Sequence, residues 1–246
     1  MLQYFLKVLG GTVVVLLIVV GILLHRSSAV LGKTWDIPIR PIEVLEDSAT
    51  VERGRHLTTA ILKCQDCHGE DFGGRDPFAE IGPLARVTAP NLTTGKGGVM
   101  DRYRDPALLA RTIRHAVKAD GKPIVIMPSN AFVRTSDADV AAVIAYLRSL
   151  PPVDRVIAPS SVKPLGRMML AVGMFPIVEA EQTDHSVAPV PDQAPVATAE
   201  YGAYLAEIGG CMACHGPLLS GGKIEGGPPG WKPATNLTPK GLPGWT

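Results

Sequence analysis

The strongest constraint in this 246-residue chain is a five-residue pattern that occurs twice. Cys64-Gln65-Asp66-Cys67-His68 and Cys211-Met212-Ala213-Cys214-His215 both read C-x-x-C-H, and the chain has no other cysteine. Two thiols at this spacing reach the two vinyl groups on one edge of a porphyrin, and the next residue, histidine, is carried under the iron as an axial ligand. The pattern is the haem c attachment signature, so two covalent haem c groups are expected. Cys64, Cys67, Cys211 and Cys214 would hold the porphyrins, and His68 and His215 the irons. A zinc ribbon would need its cysteine pairs about 15–20 residues apart, whereas these lie 147 positions apart. A thioredoxin-type site needs a strand–helix–strand setting, but here helical sequence precedes each motif and Gly-rich sequence follows. Structural disulfides would leave both histidines unexplained. Composition fits a bulky non-protein core filler: aromatics are 5%, against 26 Gly and 22 Pro. The formal charge of +1 gives no basic field for nucleic acid, and 46% hydrophobic residues exclude wholesale disorder.

The motifs sit in an internal repeat. Gly54, the first motif, Gly69 and Pro90-Asn91-Leu92-Thr93 are echoed by Gly202, the second motif, Gly216 and Thr235-Asn236-Leu237-Thr238. Repeated spacing on this scale marks duplicated modules. Each module resembles a class I c-type cytochrome domain of the mono- and di-haem family that includes the cytochrome subunits of membrane dehydrogenases. The resemblance covers residues 49–151 well and 199–246 in part. It implies an all-α fold with an N-terminal helix, the haem motif, a looped segment, a middle helix, a Met ligand loop and a C-terminal helix crossing the first. It also implies that the Pro90 carbonyl orients His68, and that Asn91 and Asn236 belong to the cofactor sites. Thr235 stands where the second module lacks the proline, so only Asn236-Leu237-Thr238 carries over there.

In the first module a helix is expected over 49–62, capped by Ser48 or Thr50. Gly54, Leu57, Thr58 and Ile61 share one face, and Gly54 would let another helix approach closely. A second helix starts at Asp105-Pro106 and ends at Gly121. A third is capped by Ser136 with Asp139 in a capping box, carries Val140, Val143, Ile144 and Leu147 as its apolar stripe, and stops at Pro151-Pro152. No convincing strand is evident. Four side chains compete for the sixth coordination position. His115 shares a helical face with Arg111 and Lys118 and is expected in solvent. His56 points off the Gly54/Leu57 face, and Met100 lies in a Gly-rich loop. Met127 lies in the apolar Pro123-Ile124-Val125-Ile126-Met127-Pro128 loop between helices, and in the resembling family the ligand Met is likewise followed by Pro. Met127 is the expected ligand, and His/Met ligation favours electron transfer over an open site.

Met1–Leu24 is a different kind of sequence. Val8–Leu24 carries no charge, about the length a spanning helix needs, with Tyr4 and Phe5 where an interfacial belt would lie. A secretory leader cleaved near Ser27-Ser28-Ala29 is the competing reading, although Arg26 is badly placed for it and the apolar run is long for one. The expected organisation is an anchor over 1–26, a tether over 27–48, one cytochrome domain over 49–151, a linker with a short apolar helix over 152–198, and a second, C-terminally incomplete domain over 199–246. The sequence ends ten residues after Asn236, with Gly244-Trp245-Thr246 resembling an approach to the middle helix, so a fragment is expected. The linker methionines Met168, Met169 and Met174 are expected to cover apolar surface or form a docking face. Ala188–Ala199 reads as a semi-stiff Pro/Ala-rich linker.

Two functions remain in view. One is an electron-transfer subunit passing single electrons from a dehydrogenase or quinol-linked donor toward an acceptor, with dehydrogenase or oxidase subunits as redox partners. The other is a di-haem enzyme, peroxidase-like or thiosulfate-oxidising, with an open second haem. No His/Glu cluster adjoins either motif, which favours the carrier. Attachment of haem c outside the bacterial cytoplasm, which the resemblance implies, would put the haem domains in the periplasm on the inner membrane. That overrides the weak charge signal of Lys7 before the span and Arg26, Lys33 and Arg40 after it.

Overall fold

The computed structural model describes residues 1–224, 227 and 230–244. The expected cap approach at Gly244-Trp245-Thr246 therefore falls mostly outside the described residues. Helix α1 (Leu2–Gly32) projects with every residue through Ile22 exposed. Only its last turns touch the body: Ser27 is buried, and Val30 and Leu31 pack on a small apolar cluster.

Helix α2 (Ser48–His56) is capped by Asp47, one residue earlier than expected; its Oδ1 accepts from the Ala49 and Thr50 amides, each at 3.0 Å. The helix widens into a π turn over Leu57–Ile61, closed by Leu62 N–H to Leu57 O at 2.8 Å, and leads into α3 (Cys64–His68), the first motif. Helix α4 (Pro106–His115) starts as expected, with Asp105 capping Ala107 N–H at 2.9 Å, but ends at Ala116 (φ 53°) rather than Gly121. The cause is burial: Ala116 and Val117 are wholly enclosed, so the chain leaves the helix early to place both inside, and Gly121 (φ 77°) serves the following turn. After α5 (Ser129–Phe132), α6 (Asp137–Ser149) begins at Ser136, whose hydroxyl accepts from Asp139 N–H at 3.2 Å.

Helices α2 and α6 cross at Gly54. A Cβ there would run into the Ala142 carbonyl and lie 2.9 Å from Tyr146 Cβ, so only glycine allows the approach. Val140, Val143, Ile144 and Leu147 face the main core together with Leu57, Phe72 and Leu109.

The chain is helical with some sheet, which corrects the all-α expectation. Strands β1 (Arg75–Ile81) and β2 (Ala85–Ala89) form an antiparallel hairpin, and β3 (Ser161–Val162) pairs with the other edge of β2. Pro77 sits in edge strand β1, the place a sheet tolerates it, and argues against a strand when read from sequence. Strand β2 is only five residues long, with Ala85, Val87 and Ala89 alternately buried.

Residues 152–198 are bound to the body along much of their length. Helix α7 (Pro164–Ala171) packs on the end of α1, and Gly166 lies against the Leu84 carbonyl. Beyond it, Ile126 N–H bonds Ile177 O at 3.0 Å and Val190 N–H bonds Arg134 O at 3.1 Å. Helix α8 (Ala199–Ile208), capped by Thr198, buries Tyr204 and Ile208 in the main core, and α9 (Cys211–His215) carries the second motif.

Candidate haem-binding sites

The first motif is a single helical turn held between two left-handed residues, Lys63 (φ 50°) and Gly69 (φ 83°). Downstream the chain doubles back. Gly74 N–H bonds His68 O at 2.8 Å, and Leu92 N–H bonds the carbonyl of buried Phe72 at 2.8 Å. This return brings the Pro90 carbonyl within 2.9 Å of His68 Nδ1. A carbonyl only accepts, so Nδ1 carries the proton and Nε2 keeps its lone pair for a metal.

Asn91 acts through the scaffold, not by touching the histidine. Fully buried, it donates from Nδ2 to Val153 O at 2.7 Å and Arg155 O at 3.2 Å, and accepts at Oδ1 from the amide (2.9 Å) and hydroxyl (2.8 Å) of Thr93. Arg155 in turn grips Asp71 with two nitrogens, at 2.8 and 3.1 Å, and holds that carboxyl below the usual carboxylate range. The Pro90 carbonyl is thus fixed by a segment beyond α6.

The second motif repeats this backbone, offset by 147 positions through Gly221 and by 145 from Thr235 onward. Gly210 (φ 69°) and Gly216 (φ 74°) flank α9, Gly221 N–H bonds His215 O at 2.9 Å, and Leu237 N–H bonds Leu219 O at 2.8 Å. His215 Nδ1 then meets the Thr235 carbonyl at 2.7 Å. Thr in place of Pro hides this partner in the sequence, yet the bond comes from the backbone and is indifferent to the side chain. Asn236 Oδ1 accepts from Thr238 N–H (2.8 Å) and Oγ1 (2.7 Å), as Asn91 does from Thr93.

The donor sets fit haem c. All four thiols are free of disulfides. Burial pushes the Cys64 thiol up to about 12 and raises Cys67 as well. Burial also lowers His68, against the opposing effect of the Pro90 bond. Neutral imidazole is the ligating form.

Of the competing sixth ligands, His56 is exposed on α2. Met100 is sealed in the core at the start of the 3-10 turn Met100–Tyr103. His115 is not the solvated histidine expected from its helical face. It is half-buried against His185, Nδ1 to Nδ1 at 3.2 Å, and burial, then His185, pulls it down to about 4. Met127 is partly buried against the same apolar cluster that Cys64 packs on. Its loop is fixed by Ile126 (φ 57°) and by Ser129 N–H to Met127 O at 2.7 Å.

Sequence reasoning missed the contact between the two motif regions. Tyr204 Oη on α8 donates to Asp139 Oδ2 at 2.7 Å and accepts from Ser136 N–H at 3.1 Å, while Arg53 Nε reaches Asp139 Oδ1 at 2.5 Å. Asp139 is fully buried, so one carboxylate joins α2, α6 and α8. Gly209 sits 3.5 Å from the Ile61 carbonyl and Gly210 3.7 Å from Ala131 Cβ, measured from an ideal Cβ at each glycine. The residue before Cys211 thus lies beside the helix that follows the Met127 loop. From sequence Asp139 reads only as a capping-box residue; its place on a wholly buried helical face is the available signal.

Residues 51–151 match the cytochrome c family, and with the motif geometry they form a class I c-type cytochrome domain. Such a domain carries covalent haem c and transfers electrons. The chain also resembles subunits of dehydrogenases, one of them a cytochrome subunit. It is 27% identical over 222 residues to a subunit of the nicotinate dehydrogenase of Pseudomonas putida, covering 81% of this chain and 17% of that protein. It is 27% identical over 122 residues to the fructose dehydrogenase cytochrome subunit of Gluconobacter japonicus, covering 48% of this chain and 25% of that one. The chain therefore spans a quarter or less of the curated relatives it matches.

Proposed function

We propose that the chain is a membrane-anchored di-haem cytochrome that relays single electrons from a dehydrogenase or quinol-linked donor to a downstream acceptor on the periplasmic side of a bacterial inner membrane. The observation that carries this reading is the duplicated site: two C-x-x-C-H turns, each with its histidine Nδ1 bonded to a returning backbone carbonyl. Cys64 and Cys67 would form the thioethers of the first group and Cys211 and Cys214 those of the second, with His68 and Met127 as iron ligands of the first and His215 of the second. Bound haem supplies one-electron redox chemistry. The protein's part is to hold both imidazoles in one tautomer and one orientation, and to keep the two modules in fixed contact through Tyr204, Asp139 and Arg53. Carbonyl bonds at Nδ1 make the imidazoles more basic ligands, and ligation by the Met127 thioether would raise the potential of the first site.

Retention of α1 as an anchor is supported by its lower end. Ser27, inside the candidate cleavage site, is buried, and its hydroxyl accepts from Arg167 Nε at 3.1 Å. Cleavage there would remove this contact with Arg167. Mass spectrometry of the matured chain should show two haem adducts that survive denaturation, with an N-terminus ahead of Ser27. A single adduct would overturn the di-haem reading.

A further inference from the structure

Helix α7 and the turn that follows it carry apolar surface that the relay does not use. Leu165 is 44% exposed, Val172 53% and Met174 70%. Met168 and Met169, both half-buried, complete a stripe from Leu165 to Val172 at helical spacing. Soluble surfaces scatter such residues singly; here they form one continuous face. Gly166, Leu170 and Ala171 on the other side are buried.

The height of this face follows from α1. Leu2–Ile22, wholly exposed, is 21 residues, which at about 1.5 Å per residue is roughly 31 Å, against a hydrocarbon thickness of about 30 Å. Contact with the body begins in the next turn. Arg167 Nη2 bonds the Leu24 carbonyl at 3.1 Å, Arg167 Nε bonds Ser27 Oγ at 3.1 Å, and Nη2 also reaches Ser28 Oγ. Residues 24–28 rise roughly 3–9 Å beyond Ile22 at the same pitch. The headgroup zone adds about 5–8 Å on each side. Arg167, and with it α7, falls in that zone. His25 and Arg26 are exposed at the same level, and Arg26 has no ion pair among the described residues.

We propose that α7 is an interfacial helix: its Leu165–Met168–Met169–Val172 face, extended by Met174, lies against the outer leaflet where acyl chains meet headgroups, with Arg26 directed at lipid phosphates. The occupant is lipid because Arg167 ties α7 to the turn of α1 just past its wholly exposed run, at headgroup level. An amphipathic helix with apolar residues toward the acyl boundary and cations at headgroup level is the form such binding takes. This rests on the anchor reading. It adds that the cytochrome body is laid on the membrane in one orientation instead of swinging on a tether.

The haem-loaded full chain has no free thiol if all four cysteines carry haem, so a single introduced cysteine is a unique labelling point. Spin labels on Val172→Cys and Met174→Cys, in nanodiscs of phosphatidylcholine and phosphatidylglycerol, should relax several-fold more with oxygen relative to a water-soluble nickel chelate than a label on Leu218→Cys, which is 78% exposed in the second module. Equal nickel accessibility at all three sites, with the protein firmly in the bilayer, would overturn the interfacial proposal and leave the anchor intact. Protection of positions 172 and 174 only when a dehydrogenase partner is added would assign the face to a protein and overturn lipid as its occupant. Release of the protein from membranes by carbonate, or a mature N-terminus beyond Ala29, would sink the anchor reading and this proposal with it.

Discussion

The two motif regions share a backbone and little else. Lys63, Phe72 and Pro90 in the first become Gly210, Leu219 and Thr235 in the second, yet the left-handed residues, the returning amide bonds and the carbonyl under the histidine recur at each place. Their support differs. In the first region Asn91 ties the carbonyl to Val153 and Arg155, and α6 closes over α2 at Gly54. The second region leans on the first, with Tyr204 and Ile208 in its neighbour's core. What is duplicated is the means of presenting a histidine; what is individual is the packing that holds it.

The bluntest way to break the comparison is to remove one site. Cys211→Ser with Cys214→Ser should leave one covalent haem of two, halving the pyridine haemochrome absorbance per chain, with the first site's spectrum unchanged. Next, Met127→Ala should lower the first potential by an appreciable fraction of the ~0.8 V range that axial ligands cover, and leave the second where it was, in a redox titration. If both potentials move together, Met127 is not a ligand private to one site.

Packing variants sharpen the contrast in support. Gly54→Ala would drive a methyl into the Ala142 carbonyl, at an overpacking cost of about 1–3 kcal/mol, read as a lower denaturation midpoint for the first region. Tyr204→Phe would leave Ser136 N–H without its acceptor and Asp139 short of one donor, at about 1–3 kcal/mol. Because this network joins the two regions, proteolysis within 188–199 should speed up more than overall unfolding does.

The smallest effect is in pH. His115 falls from 6.5 to about 4 in the fold, through burial first, then His185, Arg114 and Arg111. A histidine depressed in this way is fully compatible with the fold above pH 6.5, and its contribution is lost as pH falls toward 4, since the unfolded chain takes up the proton first. Denaturant midpoints should decline over that window, and His115→Gln should flatten the part of the decline due to this group.

Much of this was legible in the sequence because haem attachment is local: five consecutive residues state the chemistry. The caps at Asp105 and Ser136 are equally local, whereas Gly54 marks a close approach whose partner, Ala142, lies far along the chain. The hairpin was hidden by Pro77, whose position on an edge strand only the paired structure reveals. The helical face of His115 predicts solvent, while the chain that covers it, around His185, lies 70 residues away. The role of the Thr235 carbonyl is not legible in the sequence, because a backbone bond leaves no signature in residue type.

The path between the two sites runs through residues 152–198, held at Ile177, at Val190, and at Asp192, whose carboxylate accepts from Ala138 N–H at 3.0 Å. Were 188–199 a free coil of 12 residues, its ends would wander over roughly 20 Å, and every molecule would sample its own spread of separations. A chain fastened at both ends of that stretch by hydrogen bonds and a buried tyrosine gives one separation for the whole population. Electron equilibration between the two sites should then decay as a single exponential whose rate is unaffected by solvent viscosity.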